Sequence, residues 1–557
     1  MNVPLTVVIV GGVAGGMSAA TRLRRLDENA HIIVVERGDY VSYANCGLPY
    51  YVGGVIEDRD SLLLQTPEGL AARFRLDVRT GHEVVAIDRD AQTVTIRPTG
   101  TSQTAEQHYD RLILAGGATS TEPRTGGIPS FSLRTVDDVD HITRVLGSLP
   151  TAPSAVVIGG GFIGVEAVEN LVRRGVSVTV VQRGPHILSP LDVELAALVQ
   201  ERVAAAGVEI RTSTTVTGVE DDRLQLSDGT SIRADVVIDA TGVHPDTSLA
   251  RAAGLRIGES GGIWVDAQQR TSDPLIYAVG DGTEKTDAVG GGGSLIAMAG
   301  LANRHGRAAA DSIAGTATPA APALGTAIVG LFGQTIASVG WSESRLVAAG
   351  RAHRVVHTHP ASHATYYPDA ETMHMKLLVD PGTDAILGAQ IVGGEGVDKR
   401  IDVIATAMSA GLTASALSRL ELAYAPQYGS AKDAINQLGY VAENVATGVT
   451  ETVQWHEVDL AQELGELIVD VRREDEYDAG HIPGALNIPL DELRDRLFEL
   501  PDTPFIVHCQ VGQRGHTAAR LLTQHGFSVR NLDGGYLTWR AGTSLTHPHP
   551  RIQRSTV

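Results

Sequence analysis

Two stretches of this chain leave little choice of local fold. Residues 5–12 read LTVVIVGG and run on into VAGG, and residues 155–161 read AVVIGGG and run on into FIGVE. A continuous apolar, β-branched run is what a parallel strand buried on both faces needs. A glycine turn follows each run. Helices are then expected over Met17–Leu26 and Val165–Arg174, and second strands over Ile32–Val35 and Ser177–Val181. Each stretch is therefore a βαβ unit whose helix N-terminus offers unpaired N–H groups to a phosphate. Two such units imply two nucleotide-binding domains in an α/β chain.

Composition narrows the class further. The chain has 557 residues, enough for three or four domains at roughly 150 residues each. Its formal charge of −20 repels phosphate backbones, so no nucleic-acid partner is expected. Hydrophobic residues make up 43%, which excludes global disorder. Two cysteines, Cys46 and Cys509, cannot build a disulfide framework and are either inert core thiols or reactive ones. The apolar stretch Ala288–Asn303 is broken by five glycines, and no window offers roughly 18 continuous apolar residues, so no membrane span is expected. No targeting segment is visible. The reading is a soluble cytoplasmic protein whose thiols stay reduced until used.

Short strand-and-turn segments follow the glycine turns: Leu112–Gly117, Val236–Gly242 and Ile276–Asp281. A third region, to about residue 446, has strand-like runs at Thr326–Phe332, Met375–Val379 and Ala385–Val392 and a helix at Val397–Ala410. The polar stretch Val445–Val453 reads as a linker. A last α/β unit starts near Trp455. Its expected elements are a strand Leu467–Val471, a strand or turn Ala485–Ile488, a helix Asp491–Leu500, a strand Phe505–His508, a helix His516–His525 and a strand Val529–Leu532. The tail after about Thr543 is expected to be disordered.

In the first turn Gly11 makes the tight bend and Gly16 permits close helix–strand packing, with Gly12 and Gly15 beside them. Val13 stands where a strict G-x-G-x-x-G has its second glycine. Glu36, ahead of Arg37, ends the second strand and can accept from a ribose hydroxyl. The second turn matches fully through Gly159, Gly161 and Gly164, but the acid's place is taken by Gln182, followed by Arg183. A neutral residue beside a cation removes repulsion toward a 2′-phosphate, so NADH and NADPH both stay open. In YAVGDGTE, Asp281 follows Gly280 at a strand end, where a carboxylate can bind a ribityl hydroxyl.

With LILAGGAT around Gly116 and DATG ending at Gly242, these motifs in this order resemble the flavin-dependent pyridine nucleotide-disulfide oxidoreductases over about residues 4–445. The resemblance implies FAD on the first unit and Asp281, NAD(P)H on the second, and a homodimer. Its domains map to residues 1–115 with 242–322 for FAD, 116–241 for NAD(P) and 323–446 for an α+β dimerisation domain.

Dithiol members of that family carry two cysteines after the first unit. Here YVSYANCGLPYYVGG holds Cys46 alone. It must cycle with a thiol brought by the substrate, or through a persulfide or sulfenate. The segment is similar to the coenzyme A-disulfide reductase branch, in which a single cysteine forms a mixed disulfide with CoA. By that resemblance Ser18, Arg22, Arg25, Ser42 and Asn45 fall on CoA-contacting positions. HATYYPDA and LAYAPQYGSAKD each imply a tyrosine reaching the partner subunit's site, where a phenol can stabilise a departing thiolate. Tyr367 and Tyr424 are favoured, Tyr366 against Tyr367 stays open, and Lys432 is a weaker candidate. His353, His357, His359, His363 and His374 fit no metal-ligand spacing and are expected in a polar loop, with no metal.

HCQVGQRGHTAARLL places Cys509 at a strand end in a loop leading to a helix, where backbone N–H groups and Arg514 favour an anionic sulfur. Together with DVR at Asp470–Arg472, GHIPGA at Gly480–Ala485 and LDGGY with Trp539, it resembles a rhodanese domain over about residues 455–545. Four residues separate Cys509 from Arg514, a tighter loop than in related phosphatases, which suits a sulfane sulfur. The expected function is NAD(P)H- and flavin-dependent reduction of CoA persulfide, polysulfide or CoA disulfide at Cys46, coupled to sulfur transfer at Cys509. The alternatives are a NADH oxidase or peroxidase using a Cys46 sulfenate, and a non-enzymatic redox-sensing dimer.

Overall fold

The computed structural model describes residues 4–120, 126–149, 152–316 and 319–546. The chain forms two compact units: Met1–Arg183 with Ser213–Gly325, and Gly184–Thr212 with Thr326–Val557.

The first unit is built on two parallel sheets. One runs Ile276–Ala278, Arg111–Leu114, Thr6–Val10, His31–Val35, Asp77–Arg79, with Val7 in register with Ile32 and Arg111. Successive side chains of a strand point to opposite faces, and both faces are covered. Val7, Ile9, Ile32 and Val34 pack with Met17, Ala20, Leu23 and Ala309. Val8, Ile33, Val35 and Leu112 face the other way, toward Val84, Val94 and Ala250. This is why the strand reads as an unbroken apolar run, each buried side chain contributing about 1.5–3 kcal/mol. The second sheet repeats the scheme in this unit with Ser177–Val181, Ser154–Ile158, Val236–Asp239 and Ser130–Phe131. The helices start earlier than expected, at Ala14 and Phe162, because the glycine turn itself winds into the first helical turn.

The second unit holds an antiparallel sheet in the order Ala327–Leu331, Gln334–Gly340, Ile386–Gly393, His374–Val379, Arg354–Thr358. Strands Gln334–Gly340 and Arg354–Thr358 and the helix Ala434–Ala446 went unforeseen. The helix Val193–Ala205 packs on Ile386–Gly393 and on the helix Gly535–Thr546. The C-terminal sheet is parallel, in the order Thr452–Val453, Val529–Leu532, Phe505–His508, Ile468–Asp470, Leu486–Asn487.

Three expectations need correction. Residues 445–453 are not a free linker. The helix runs to Ala446, Thr450 Oγ1 lies 2.6 Å from His516 Nδ1, and Thr452–Val453 is the edge strand of the C-terminal sheet. Residues 491–500 do not form an α-helix. Their backbone N–H groups bond three residues back, as Leu493 to Leu490, Arg496 to Leu493 and Leu500 to Leu497. This tighter winding still buries Leu493 and Leu500 against the sheet. The last helix continues to Thr546, and the rest of the expected disordered tail lies outside the described residues. No helix among the described residues is long and apolar enough to cross a membrane.

Candidate active site

The first glycine turn is shaped by close approach. Gly11 sits at φ +104°, where a Cβ would run into the Ala115 carbonyl, and a Cβ on Gly16 would collide with the Gly11 carbonyl. At Gly15 a Cβ would come within 2.9 Å of Val279 Cγ2. Glu36 folds toward this turn. Its carboxylate accepts from Gly12 N–H at 2.8 Å and Gly38 N–H at 2.8 Å, so the acid stands beside the phosphate-binding bend. Arg37, largely exposed, lies 3.9 Å from Glu83. A Cβ on Gly116 would meet nothing within 4 Å, which leaves the rim of the cradle open. Lys285, buried, donates to the Gly280 carbonyl at 2.7 Å and the Thr283 carbonyl at 2.8 Å. It thereby fixes the turn that carries Asp281. Burial pulls its ammonium down to about 8, against the opposing pull of Asp281. A bend of this shape, an acid one strand away and a carboxylate past the end of the strand Ile276–Ala278 fit an FAD.

The second turn is the same device with a different charge. Gly159 at φ +99° abuts the Ala240 carbonyl, Gly164 abuts the Gly159 carbonyl, and Gly161 and Gly242 have open space where a Cβ would be. Gln182 Oε1 accepts from Gly160 N–H at 2.9 Å, the counterpart of Glu36 on Gly12. A nicotinamide dinucleotide fits here, with an amide where the first turn has a carboxylate.

Cys46 lies on the short turn Asn45–Gly47 that leads into the helix Leu48–Val52, and it is exposed. The chain reaches it through Ser42, whose φ of 48° is left-handed, a conformation costing about 1–3 kcal/mol outside glycine. Ser42 N–H is tied to the Gly12 carbonyl at 2.9 Å. Cys46 borders a cavity of about 440 Å³, whose walls include Ser18, Ser42, Asn45, Arg73 and Asn303. Ser18 Oγ donates to Asn303 Oδ1 at 2.7 Å. Burial first, then the negative charges of Glu166 and Asp281, push the Cys46 thiol up. Glu166 accepts from Tyr50 Oη at 3.1 Å.

Sequence reasoning named Ser18, Ser42, Asn45 and Cys46 for one place, and the structure brings them together. Arg22 instead pairs with Asp311 at 2.6 Å, and neither Arg22 nor the exposed Arg25 is part of the cavity wall. Arg73, Asn303, Glu166 and Lys285 were missed. Glu166 had a local signal, since it follows Gly164 by two residues at the start of the helix. Arg73 had none, being the one arginine of an ordinary short helix, Pro67–Phe74.

Tyr424 Oη lies 2.6 Å from Tyr366 Oη, and both side chains are exposed. This hydrogen bond pushes the Tyr366 phenol up. Tyr367, the favoured candidate, instead sets its ring edge-on to His363 at 5.7 Å. Lys432 is exposed. The histidines are no polar loop: His357 and His374 lie on strands, and His357 and His363 are buried. Asp192, Glu194 and Glu343 cluster as cation ligands do, but the fully buried ammonium of Lys376 satisfies all three, at 3.0, 2.6 and 2.6 Å.

Cys509 is buried at the end of the strand Phe505–His508, ahead of the helix Gln513–Gln524. Its carbonyl accepts from Tyr536 N–H at 2.8 Å. Arg514 is held by Glu476 in a two-pronged pair, both bonds 2.7 Å, which raises the guanidinium pKa, with Cys509 among the lesser causes. Arg472 pairs with Asp470 and lies 4.2 Å above the Tyr536 ring.

Residues 5–306 match the family model described as pyridine nucleotide-disulphide oxidoreductase, residues 326–434 that family's dimerisation domain, and residues 454–542 a rhodanese-like domain. A coenzyme A disulfide reductase of Staphylococcus aureus strain JH9 is 34% identical over 438 residues, 78% of this chain and 99% of the relative. The crystal structure of reduced Bacillus anthracis CoADR-RHD superposes with a TM-score of 0.95 at 45% identity, covering 97% of this chain and 99% of that one. A NAD-dependent persulfide reductase from A. fulgidus superposes at 0.89 with 38% identity, covering 96% and 100%. The match over residues 5–306 and the 34% identity across 78% of the chain show that it belongs to the pyridine nucleotide-disulphide oxidoreductase family, and it carries a rhodanese-like domain at residues 454–542.

Proposed function

We propose that this protein is an NAD(P)H-dependent flavoenzyme that reduces CoA persulfide, polysulfide or CoA disulfide at Cys46, with sulfane sulfur handled at Cys509. The observation that carries this reading is an exposed Cys46 on the wall of a 440 Å³ cavity that also presents Ser18, Asn45 and Arg73, in a chain whose other thiol is Cys509. A lone thiol must take its second sulfur from the substrate. The relatives named above act on such substrates.

The chemistry follows from the residues. The Cys46 thiolate attacks CoA–S–S–H at the CoA-bearing sulfur, giving Cys46–S–S–CoA and releasing HS⁻. With CoA disulfide the same attack gives the same mixed disulfide and releases CoA thiolate. Bound FAD supplies the electron pair, drawn from NAD(P)H, that returns the mixed disulfide to Cys46 thiolate and CoA thiolate. Gly11, Gly12, Gly16, Glu36 and Asp281 hold it; Gly159, Gly161, Gly164 and Gln182 hold the dinucleotide. Arg73 pairs with the phosphates of CoA, and Ser18, Ser42 and Asn45 position its pantetheine arm. In a homodimer the phenols of Tyr366 and Tyr424 from one protomer donate to the departing thiolate at the partner's site. The rhodanese-like domain favours persulfide or polysulfide over plain CoA disulfide, which carries no sulfane sulfur. An oxidase or peroxidase reading leaves a cavity of this size without a purpose. We place the enzyme in the cytoplasm, with no nucleic-acid or membrane partner.

The test is sulfide release from CoA persulfide and polysulfide under NADH and NADPH, for wild type and Cys46→Ser. Loss of release in the variant, with flavin absorbance retained, supports the reading. Equal rates overturn it.

A further inference from the structure

We propose that His357 is a positioning residue for sulfur transfer: its ring, held between Glu194 and Asp533, locks the segment that grips the Cys509 loop onto the five-stranded antiparallel sheet. His357 lies on the strand Arg354–Thr358 and is buried. Its Nδ1 is 2.7 Å from Asp533 Oδ2 and its Nε2 is 3.0 Å from Glu194 Oε1. Its backbone N–H also donates to Asp533, at 2.9 Å. A neutral imidazole donates from one nitrogen only. Two carboxylates facing both nitrogens therefore require the imidazolium, and these two partners raise its pKa to about 9 against the opposing effect of burial.

Asp533 opens the segment that grips the rhodanese loop. Two glycines separate it from Tyr536, whose N–H donates to the Cys509 carbonyl at 2.8 Å, and Leu537 N–H donates to the Gln510 carbonyl at 3.0 Å. The packing is close. A Cβ on Gly535 would come within 2.8 Å of Gly512 N, and one on Gly534 within 2.8 Å of His357 Cβ. The charged groups around the ring complete the clamp. Glu194 also accepts from Lys376, which binds Asp192 and Glu343; His353 approaches Glu343 at 3.4 Å; and Gln454 donates to Asp533 at 3.2 Å. His359, one residue past the end of that strand, makes a second tie through Nε2 to Thr538 Oγ1 at 2.8 Å. Burial and the neighbouring His374 keep it neutral. The chain therefore holds Cys509 in place through its partner sheet as well as through its own domain.

This rests on Cys509 being the sulfur-carrying thiol. The experiment uses full-length holoenzyme as wild type, His357→Gln and Asp533→Asn, with Cys509→Ser alongside. Three quantities are read: amide hydrogen exchange over residues 509–514, sulfur transfer from thiosulfate to cyanide, and NAD(P)H-dependent reduction of CoA disulfide, which bypasses Cys509. Loss of one charged, buried bond implies exchange about tenfold faster and sulfur transfer about tenfold slower in both variants, with CoA disulfide reduction unchanged. His357 is raised in the folded state, so its contribution is complete below the unfolded imidazole value and disappears as pH climbs through about 9. Wild-type transfer falls there, and His357→Gln does not share the fall. Unchanged exchange in both variants overturns the proposal, as does an equal loss of CoA disulfide reduction. If Cys509→Ser still transfers sulfur, the reading of Cys509 fails, and the exchange measurement still decides the clamp.

Discussion

Tyr366 and Tyr424 lie 58 residues apart in the chain and meet hydroxyl to hydroxyl at 2.6 Å. Neither motif alone says which of two adjacent tyrosines makes this pair, and the neighbouring Tyr367 turns to His363 instead. If the pair stabilises a leaving thiolate, Tyr366→Phe and Tyr424→Phe each lower kcat for CoA disulfide by about 100-fold, the scale of losing one oxyanion-type donor. Tyr367→Phe stays within about twofold, because its ring packing survives. Steady-state kinetics on the three variants check this.

Arg73 borders the cavity, whereas Arg22 is committed to Asp311. Arg73→Ala is expected to raise KM for CoA disulfide about tenfold, with little change in kcat, as the loss of one charge-assisted contact to a phosphate implies. Arg22→Ala leaves KM nearly unchanged and lowers the melting temperature, because the buried Asp311 keeps only its longer contact to Arg307, at 3.6 Å.

The Cys46 thiol is raised by burial and by Glu166 and Asp281. Its thiolate fraction therefore grows only at pH above the ordinary thiol range, and alkylation by iodoacetamide is expected to accelerate with pH there. Glu166→Gln removes one of the opposing charges and moves the alkylation profile to lower pH. A profile that shifts upward or stays fixed contradicts the assignment.

Lys376 is the ammonium on which three buried carboxylates depend. Lys376→Met leaves them facing one another, and the expected loss is about 3–5 kcal/mol, read as a lowered denaturation midpoint. Burial disfavours the charged amine, yet Asp192, Glu194 and Glu343 outweigh it and raise its pKa, so the wild type keeps this interaction through neutral and mildly alkaline pH.

What the sequence conveys about this molecule is what local chemistry dictates. The βαβ units were readable because an apolar run, a glycine at positive φ and an acid or amide at the next strand end are each required by contacts within a few dozen residues. Ser42, Asn45 and Cys46 were readable as one short segment. The failures have a common cause. Asn303 reaches the Cys46 cavity from the helix Ala299–Ile313, far off in the chain, and Arg73 from the nearer helix Pro67–Phe74, and nothing in their own surroundings distinguishes them. Residues 491–500 carry a helical spacing of leucines, but three-residue winding against the sheet buries the same side chains. The histidines look like a polar stretch because their partners, Glu194, Asp533 and Thr538, lie outside it. The strand Arg354–Thr358 was hidden by the polarity of His357 and its neighbours, since His357 finds its counter-charges 163 and 176 residues away.

Gln182 has a consequence for how this fold changes its diet of reductant. Its side-chain oxygen meets Gly160 N–H as the Glu36 oxygen meets Gly12, and an amide and a carboxylate present that oxygen alike. The net charge beside the bend is thereby uncoupled from its geometry. A lineage can exchange one side chain for the other and move between anabolic and catabolic electron pools while the scaffold beneath stays as it is.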